Sequence, residues 1–371
     1  MSFPLFDCRL SGAALAALEQ PFNSGQLASG ASVGQLEQYF EERFAGHHAV
    51  AVSDMTNALA LALRLAGVSN GDEVMTMAFN CMSSNAAISM VGARPVWVDV
   101  APETASFDLQ HARSLLNSRT KAVVVYHLAG YPADLVGIRN FCDDHGLALI
   151  EDANNAFGAE FSGHSIGSFG DFAVFSFYAN RQINAIDGGL LLTRQSVDTE
   201  RARRLRRFGV NQACFRDTDG EIDPLCDVPE IGVSSTLNNI NATLALVSLA
   251  DVDARIARSR NNVEILGEAT RGLELTPIKQ VPEGQSAYWT WLIRLTDRDA
   301  VMRSLKAQGV QCSKLHYPNH NYSGFGIAGA ELPGTDLLAR EMLAIPCGWW
   351  IDQAQVPQLT TAIENALRAT S

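Results

Sequence analysis

Short apolar runs alternate with helical stretches along the first half of the chain, and this alternation limits the fold more than any other feature. A strand ends near Ser53, and residues 56–67 follow as a strongly apolar helix. Strand 74–77, helix 83–91, strand 95–100 and helix 108–117 come next. Residues 122–126 read Ala-Val-Val-Val-Tyr, a continuous apolar run of the kind buried on both faces of a parallel sheet. Helix 132–145 and strand 147–152 repeat the unit, and strands 172–177 and 189–193 extend it. Strands separated by helices of this length predict a doubly wound α/β sheet.

The flanks read differently. Residues 1–50 hold polar turns and one helix, in which Val33, Leu36, Tyr39, Phe40 and Phe44 share a face. Residues 208–235 are rich in Gly, Asp, Pro and Cys and predict a long functional loop. One long helix is expected over 237–270. Beyond it lies an α+β unit with strands over 288–294 and near 310–316, and helices over 298–308 and 354–368. This suggests a large α/β domain over 1–250 and a small α+β domain over 251–371.

Composition removes several classes of function. A net charge of −12 disfavours a nucleic-acid binder. The one basic cluster, Arg201 to Arg207, reads as a solvated or interface helix face. No apolar run approaches the roughly 18 residues that span a bilayer, and the start of the chain lacks a signal-peptide pattern. Seven scattered cysteines without C-x-x-C spacing suit free thiols in a reducing cytoplasm. No G-x-x-x-x-G-K is present, and no G-x-G-x-x-G follows the first strand. Phosphate-loop nucleotide sites and nicotinamide dehydrogenases are therefore disfavoured.

Ligands of open α/β sheets collect at the carboxyl ends of the strands, where three stretches carry polar chemistry. Residues 53–59 (Ser-Asp-Met-Thr-Asn-Ala-Leu) start a helix whose N–H groups suit an anion, although Thr56 or Asp54 also suits a plain N-cap. After strand 147–152, Asp152 is placed to hold a protonated ring nitrogen, although paired acids at a strand end also occur in magnesium sites. In residues 175–189, Ser176 is a hydroxyl donor for a phosphate, and Gly188-Gly189 permits close backbone approach. His316 and His320 sit four apart, but Pro318 between them argues against a helical two-His metal face.

In this order and spacing the stretches resemble the DegT/StrS family of nucleotide-sugar aminotransferases. Its patterns S-x-G-T-x-A-L, G-A-x-P-V-x-V-D-V, E-D-x-A, G-S-F-G-D-x-x-x-F-S-F and S-F-x-x-x-K-x-[IL]-x-x-x-[ED]-G-G find counterparts at residues 53–59, 92–100, 151–156, 167–177 and 176–189. His316-Tyr317 and residues 343–346 match its small-domain motifs, so the resemblance covers about residues 20–368. It implies a fold-type-I pyridoxal-phosphate (PLP) transferase architecture and a cytoplasmic homodimer with active sites at the interface. It also implies roles for single residues. Asp152 would face the pyridine nitrogen and Asn155 the ring hydroxyl. Thr56, Ser176 and the Met55 amide would hold the phosphate. Ser234 would reach the phosphate from the partner subunit, and His316 would lie in a loop near the active site.

The departures from the pattern carry the functional expectation. Arg181 stands where the family has its Schiff-base lysine. A guanidinium stays protonated and is a poor nucleophile, so it forms no such bond; it can bind an anion through two hydrogen bonds. Cys81 stands where an aromatic stacks on the ring, Met55 replaces a Gly, and Ser234 and Thr236 replace an Asn and an Arg. Of the lysines Lys121, Lys279, Lys306 and Lys314, only Lys314 is placed to substitute.

Three functions follow in order of preference. The first is an enzyme of amino- or deoxy-sugar or secondary-metabolite biosynthesis. It would hold PLP or pyridoxamine phosphate (PMP) non-covalently, or use no cofactor, and would act on a small molecule such as a nucleotide-linked sugar. The second is an inactive homologue serving as a binding, regulatory or heterodimer subunit. The third is a conventional transaminase. No metal, nucleic-acid or membrane partner is expected.

Overall fold

The structure is a computed structural model that describes residues 2–326 and 329–369. Its centre is a seven-stranded sheet. The strands are β1 (His48–Val52), β2 (Glu73–Met77), β3 (Arg94–Val98), β4 (Thr120–Tyr126), β5 (Ala148–Asp152), β6 (Phe172–Ser176) and β7 (Gly189–Thr193). Their spatial order is β1-β7-β6-β5-β4-β2-β3, and β7 alone runs antiparallel to its neighbours. Every strand expected in this half of the chain is therefore present.

Period-two alternation explains the layering. Met75, Val123, Val125, Leu149, Ala173 and Phe175 point to one face and pack with Phe40 of helix α1 (Ala31–Arg43) and with Phe44, which caps its end. Val74, Val124, Ile150, Phe172 and Val174 point to the other face, against helix α2 (Met55–Leu65). Both faces being covered is why the central strands read as continuous apolar runs.

A second, three-stranded sheet of Thr276–Pro277, Trp291–Arg294 and Met342–Ile345 carries its own apolar cluster, which includes Phe3 from the start of the chain. A further helix, Ala13–Ser24, lies within the stretch expected to be turns.

Several expectations are corrected. The single helix over 237–270 is two helices, Asn239–Leu249 and Val252–Ala269. Asp251 leaves helical geometry, and the acidic pair Asp251 and Asp253 suits the start of the second helix. The strand over 288–294 begins only at Trp291, because Tyr288 takes a positive φ of 46°. No strand forms over 310–316. Val310 and Ser313 make isolated bridges, and Leu315, at φ 58°, breaks the pleat.

The expectation of free thiols fails for two cysteines. Cys214 and Cys226 form a disulfide, with Cα atoms 5.6 Å apart. The segment between them folds back on itself through the Arg216–Ile222 bridge, which brings together two cysteines whose spacing matches no sequence motif. The other five are free. The basic cluster is not a solvated face throughout. Arg206 bonds Glu37 at 2.6 Å and Arg201 bonds Glu230 at 2.8 Å, joining the helix Ser196–Leu205 to its surroundings.

Candidate active site

Parallel pairing sets β4, β5 and β6 side by side, so that Tyr126, Asp152 and Val174 are adjacent at their carboxyl ends. On the antiparallel side, Val52, Gly189 and Ser176 are aligned across β1, β7 and β6. Helix α2 therefore starts beside Ser176. A Cβ on Gly189 would lie 2.6 Å from the Met55 nitrogen, so only glycine lets β7 pass under the first turn of that helix.

Asp152 is fully buried. Its Oδ1 accepts from the Asn154 backbone N–H and side-chain amide at 3.2 and 2.9 Å, while Oδ2 has no partner. Burial raises its pKa above the usual carboxylate value, against the opposing pull of Asn154 and of the nearby Ser84 hydroxyl, which itself makes no hydrogen bond of proper geometry among the described residues. Its neighbour Glu151 does different work. It accepts from the N–H groups of Gly167, Phe169 and Gly170 at 2.7–2.8 Å and faces His127 at 3.3 Å. Burial raises the Glu151 pKa, but His127 and these amides outweigh it and leave the carboxyl below its ordinary range. The two acids thus point to different tasks and form no shared metal pair. Among the described residues no His/Cys/Asp/Glu cluster suits a metal.

Tyr126, Asn155 and His316 form a chain. The Asn155 amide donates to the Tyr126 hydroxyl at 3.0 Å, and that hydroxyl lies 3.2 Å from His316 Nε2. Gln182 fixes Asn155 by donating to its carbonyl at 2.7 Å, and Asn155 Oδ1 is left without a partner. Burial, with the Arg181 charge acting the same way, pushes His316 down to about 3. The ring is then neutral, and its Nε2 shares one hydrogen bond with the tyrosine hydroxyl. Burial pushes the Tyr126 hydroxyl well above its ordinary range, so its proton is retained.

This depressed pKa makes a prediction. A histidine at about 3 when folded and near 6.5 when unfolded contributes stability that is full above pH 6.5 and is lost as pH falls towards 3. The slope is at most about 1.4 kcal/mol per pH unit, reduced by solvent screening because His316 is only half-buried. Urea unfolding at pH 7 and pH 5 is expected to show a smaller acid loss for His316→Asn than for the parent.

Burial lowers the Arg181 pKa from the ordinary value, against the opposing pull of its neighbours Tyr126, Cys81 and Asp152. Its Nη1 donates to Asn180 Oδ1 at 2.6 Å, and its guanidinium carbon sits 4.7 Å from the Trp289 ring centroid. Cys81 stands at the start of helix Met82–Met90, with Sγ 3.1 Å from the Ser83 hydroxyl. Lys314 is ion-paired with Asp299 at 2.9 Å, on an exposed part of its loop.

At the start of α2, Met55 is buried and Thr56 half-buried. Asp54 is the N-cap. It accepts from the Asn57 N–H at 2.9 Å, the Asn57 amide at 2.6 Å and the Ser53 hydroxyl at 2.8 Å, and among the described residues it has no ion-pair partner. The Ser176 hydroxyl accepts the Tyr178 N–H at 3.3 Å. Ser234 is exposed in a segment that bridges Arg207 and, through Thr236, Val52 of the same chain.

The structure thus gathers Asp152, Asn155, Arg181, His316 and Cys81 around Tyr126, while Thr56 and Ser176 lie at the neighbouring helix start. Tyr126, Trp289 and Asn180 were not among the residues expected at the site. Tyr126 carries a usable signal, the last position of a buried strand. Trp289 carries none, because it comes from a distant segment.

The sheet order, its single antiparallel strand and a buried acid on β5 define the fold-type-I architecture of PLP-dependent transferases. The profile of the DegT/DnrJ/EryC1/StrS aminotransferase family matches residues 9–364, and the chain belongs to that family. It is 32% identical over 345 residues to the dTDP-3-amino-3,4,6-trideoxy-alpha-D-glucose transaminase of Micromonospora megalomicea subsp. nigra, covering 90% of this chain and 88% of that one. Among solved structures it resembles the aminotransferase TlmJ from Streptoalloteichus hindustanus, with 31% identity, a TM-score of 0.92 and full coverage of both chains. It also resembles DesV of S. venezuelae, solved with a ketimine intermediate, with 28% identity, a TM-score of 0.91 and 98% coverage of each chain.

Proposed function

We propose that this chain is a divergent sugar aminotransferase homologue that works without a covalent link to its cofactor, acting on a nucleotide-linked amino- or deoxy-sugar. The observation that carries this reading is Arg181, a guanidinium stacked on Trp289 at the position where the family's motif has its lysine. The dTDP-sugar named for the Micromonospora relative supports the substrate class. A cytoplasmic homodimer fits the family pattern, and the exposed Ile222, Leu225 and Ile231 offer apolar surface for a second copy.

The polar groups around Tyr126 suit a pyridoxal-type ring. Asp152 Oδ2 is a buried acceptor without a partner, which a protonated ring nitrogen would satisfy, and Asn155 Oδ1 offers a second acceptor. Such a ring supplies an electron sink when bound. Around it, Asp152 would orient the ring, and the Tyr126 hydroxyl and His316 Nε2 would hold a proton between them. Thr56 and Ser176 would offer hydroxyls to a phosphate. Lys314, tied to Asp299, is not poised to form a bond at Arg181.

The phosphate end is weaker, because Asp54 adds negative charge to the helix start. Asp54→Asn keeps the cap and removes the charge, so it should tighten PMP by about 1 kcal/mol, roughly fivefold, in a fluorescence titration. The reading itself is tested by equilibrium dialysis with PLP followed by gel filtration. Ligand that binds and is then removed on the column supports it. Ligand that stays with the protein after filtration contradicts it.

A further inference from the structure

Arg181 is held on two sides by one residue. The Trp289 ring lies under its guanidinium at 4.7 Å, and the indole N–H donates at 2.6 Å to the carbonyl of Asn180, whose side chain accepts from Arg181 Nη1. Trp289 is itself fixed. Phe6 stacks on its ring at 4.1 Å with an interplanar angle of 18°, and its backbone N–H donates to the Ala129 carbonyl at 3.0 Å. A stacked cation loses little freedom on binding, because its plane is already set.

This clamp engages one edge of the guanidinium and leaves the other without a partner. Nη1 is bonded to Asn180, whereas Nε is buried without a partner, and among the described residues Nη2 has no hydrogen bond. The Nε/Nη2 edge presents two parallel N–H groups, the geometry that a planar, two-oxygen anion accepts. Asp152 and Arg181 make no ion pair with each other, and burial disfavours the charge on each. A single negative charge at Arg181 and a protonated nitrogen at Asp152 would relieve both costs. A doubly charged group beside Asp152 would relieve them less well.

We infer that Trp289 is a positioning residue that turns Arg181 into a fixed carboxylate receptor, and that the site takes a pyridine-type ring bearing a carboxylate on the carbon facing Arg181. This rests on the reading that Asp152 holds such a ring without a covalent link.

The test uses two fluorescent probes that differ only at that carbon: 4-pyridoxic acid, with a carboxylate, and pyridoxine, with a neutral hydroxymethyl group. The full chain is expected to bind the acid at least tenfold more tightly. Arg181→Gln should erase this preference. Trp289→Leu should do the same, while Trp289→Phe, which keeps the ring face, should retain most of it. Should Trp289→Leu fail to fold, as shown by circular dichroism, Asn180→Ala tests the same clamp and should weaken the preference. Equal binding of the two probes, or a preference that survives Arg181→Gln or the loss of the clamp, overturns the inference and leaves the underlying reading intact. Failure of both probes to bind overturns that reading as well.

Discussion

Arg181→Lys is expected to convert the protein into one that captures pyridoxal phosphate covalently. After incubation with the cofactor and reduction with borohydride, mass spectrometry should find the adduct at position 181, on essentially every chain that binds ligand. The expectation rests on how much of the frame survives around that position. Ser176, Gly188 and Gly189 keep their strand-end geometry, and Gly189 still admits the first turn of α2. Asn180 and Trp289 would remain to shape the pocket. Lysine is flexible, and burial favours its neutral, nucleophilic form. A variant that folds, binds ligand and yields no adduct would show that the pocket has changed beyond this one side chain.

Asp152→Ala is expected to cost ring binding about 2–3 kcal/mol, roughly 30- to 150-fold in affinity, because a charge-assisted hydrogen bond to a buried nitrogen is lost. The same change should cost less in thermal stability, because the two hydrogen bonds lost from Asn154 are offset by removal of a buried charge. Asp152 has an unsatisfied oxygen and a raised pKa in the free protein, so its charge is a burden until a ligand arrives. Parallel fluorescence titration and thermal unfolding separate the two effects. A large fall in melting temperature with unchanged affinity would assign Asp152 to the fold instead of to the ligand.

The central sheet was legible in the sequence because its strands are buried on both faces and flanked by helices, which writes an unambiguous apolar run into each. The position of Asp152 at the end of such a run was legible too, but the run alone does not separate it from Glu151, which bonds the amides of Gly167, Phe169 and Gly170. The clamp on Arg181 was not legible. Trp289 reaches it from a segment more than a hundred residues away, and in sequence Trp289 looks like one more apolar residue of a strand. The disulfide escaped for a similar reason. Only the back-folding of residues 214–226 brings its two cysteines together. The helix over 237–270 was overextended because apolar periodicity continues through Ala250 and Asp251, where the backbone turns. His316 was placed near the site by motif, but its neutrality follows from burial and the Arg181 charge, which only the assembled fold supplies.

The most direct measurement of the central claim is the intact mass of the unaltered protein after incubation with pyridoxal phosphate and reduction with borohydride. Ligand binding is confirmed beforehand by fluorescence. An unmodified mass from a ligand-binding protein is the predicted result. A mass increase of one pyridoxyl phosphate, located by peptide mapping to a lysine such as Lys314, would contradict it.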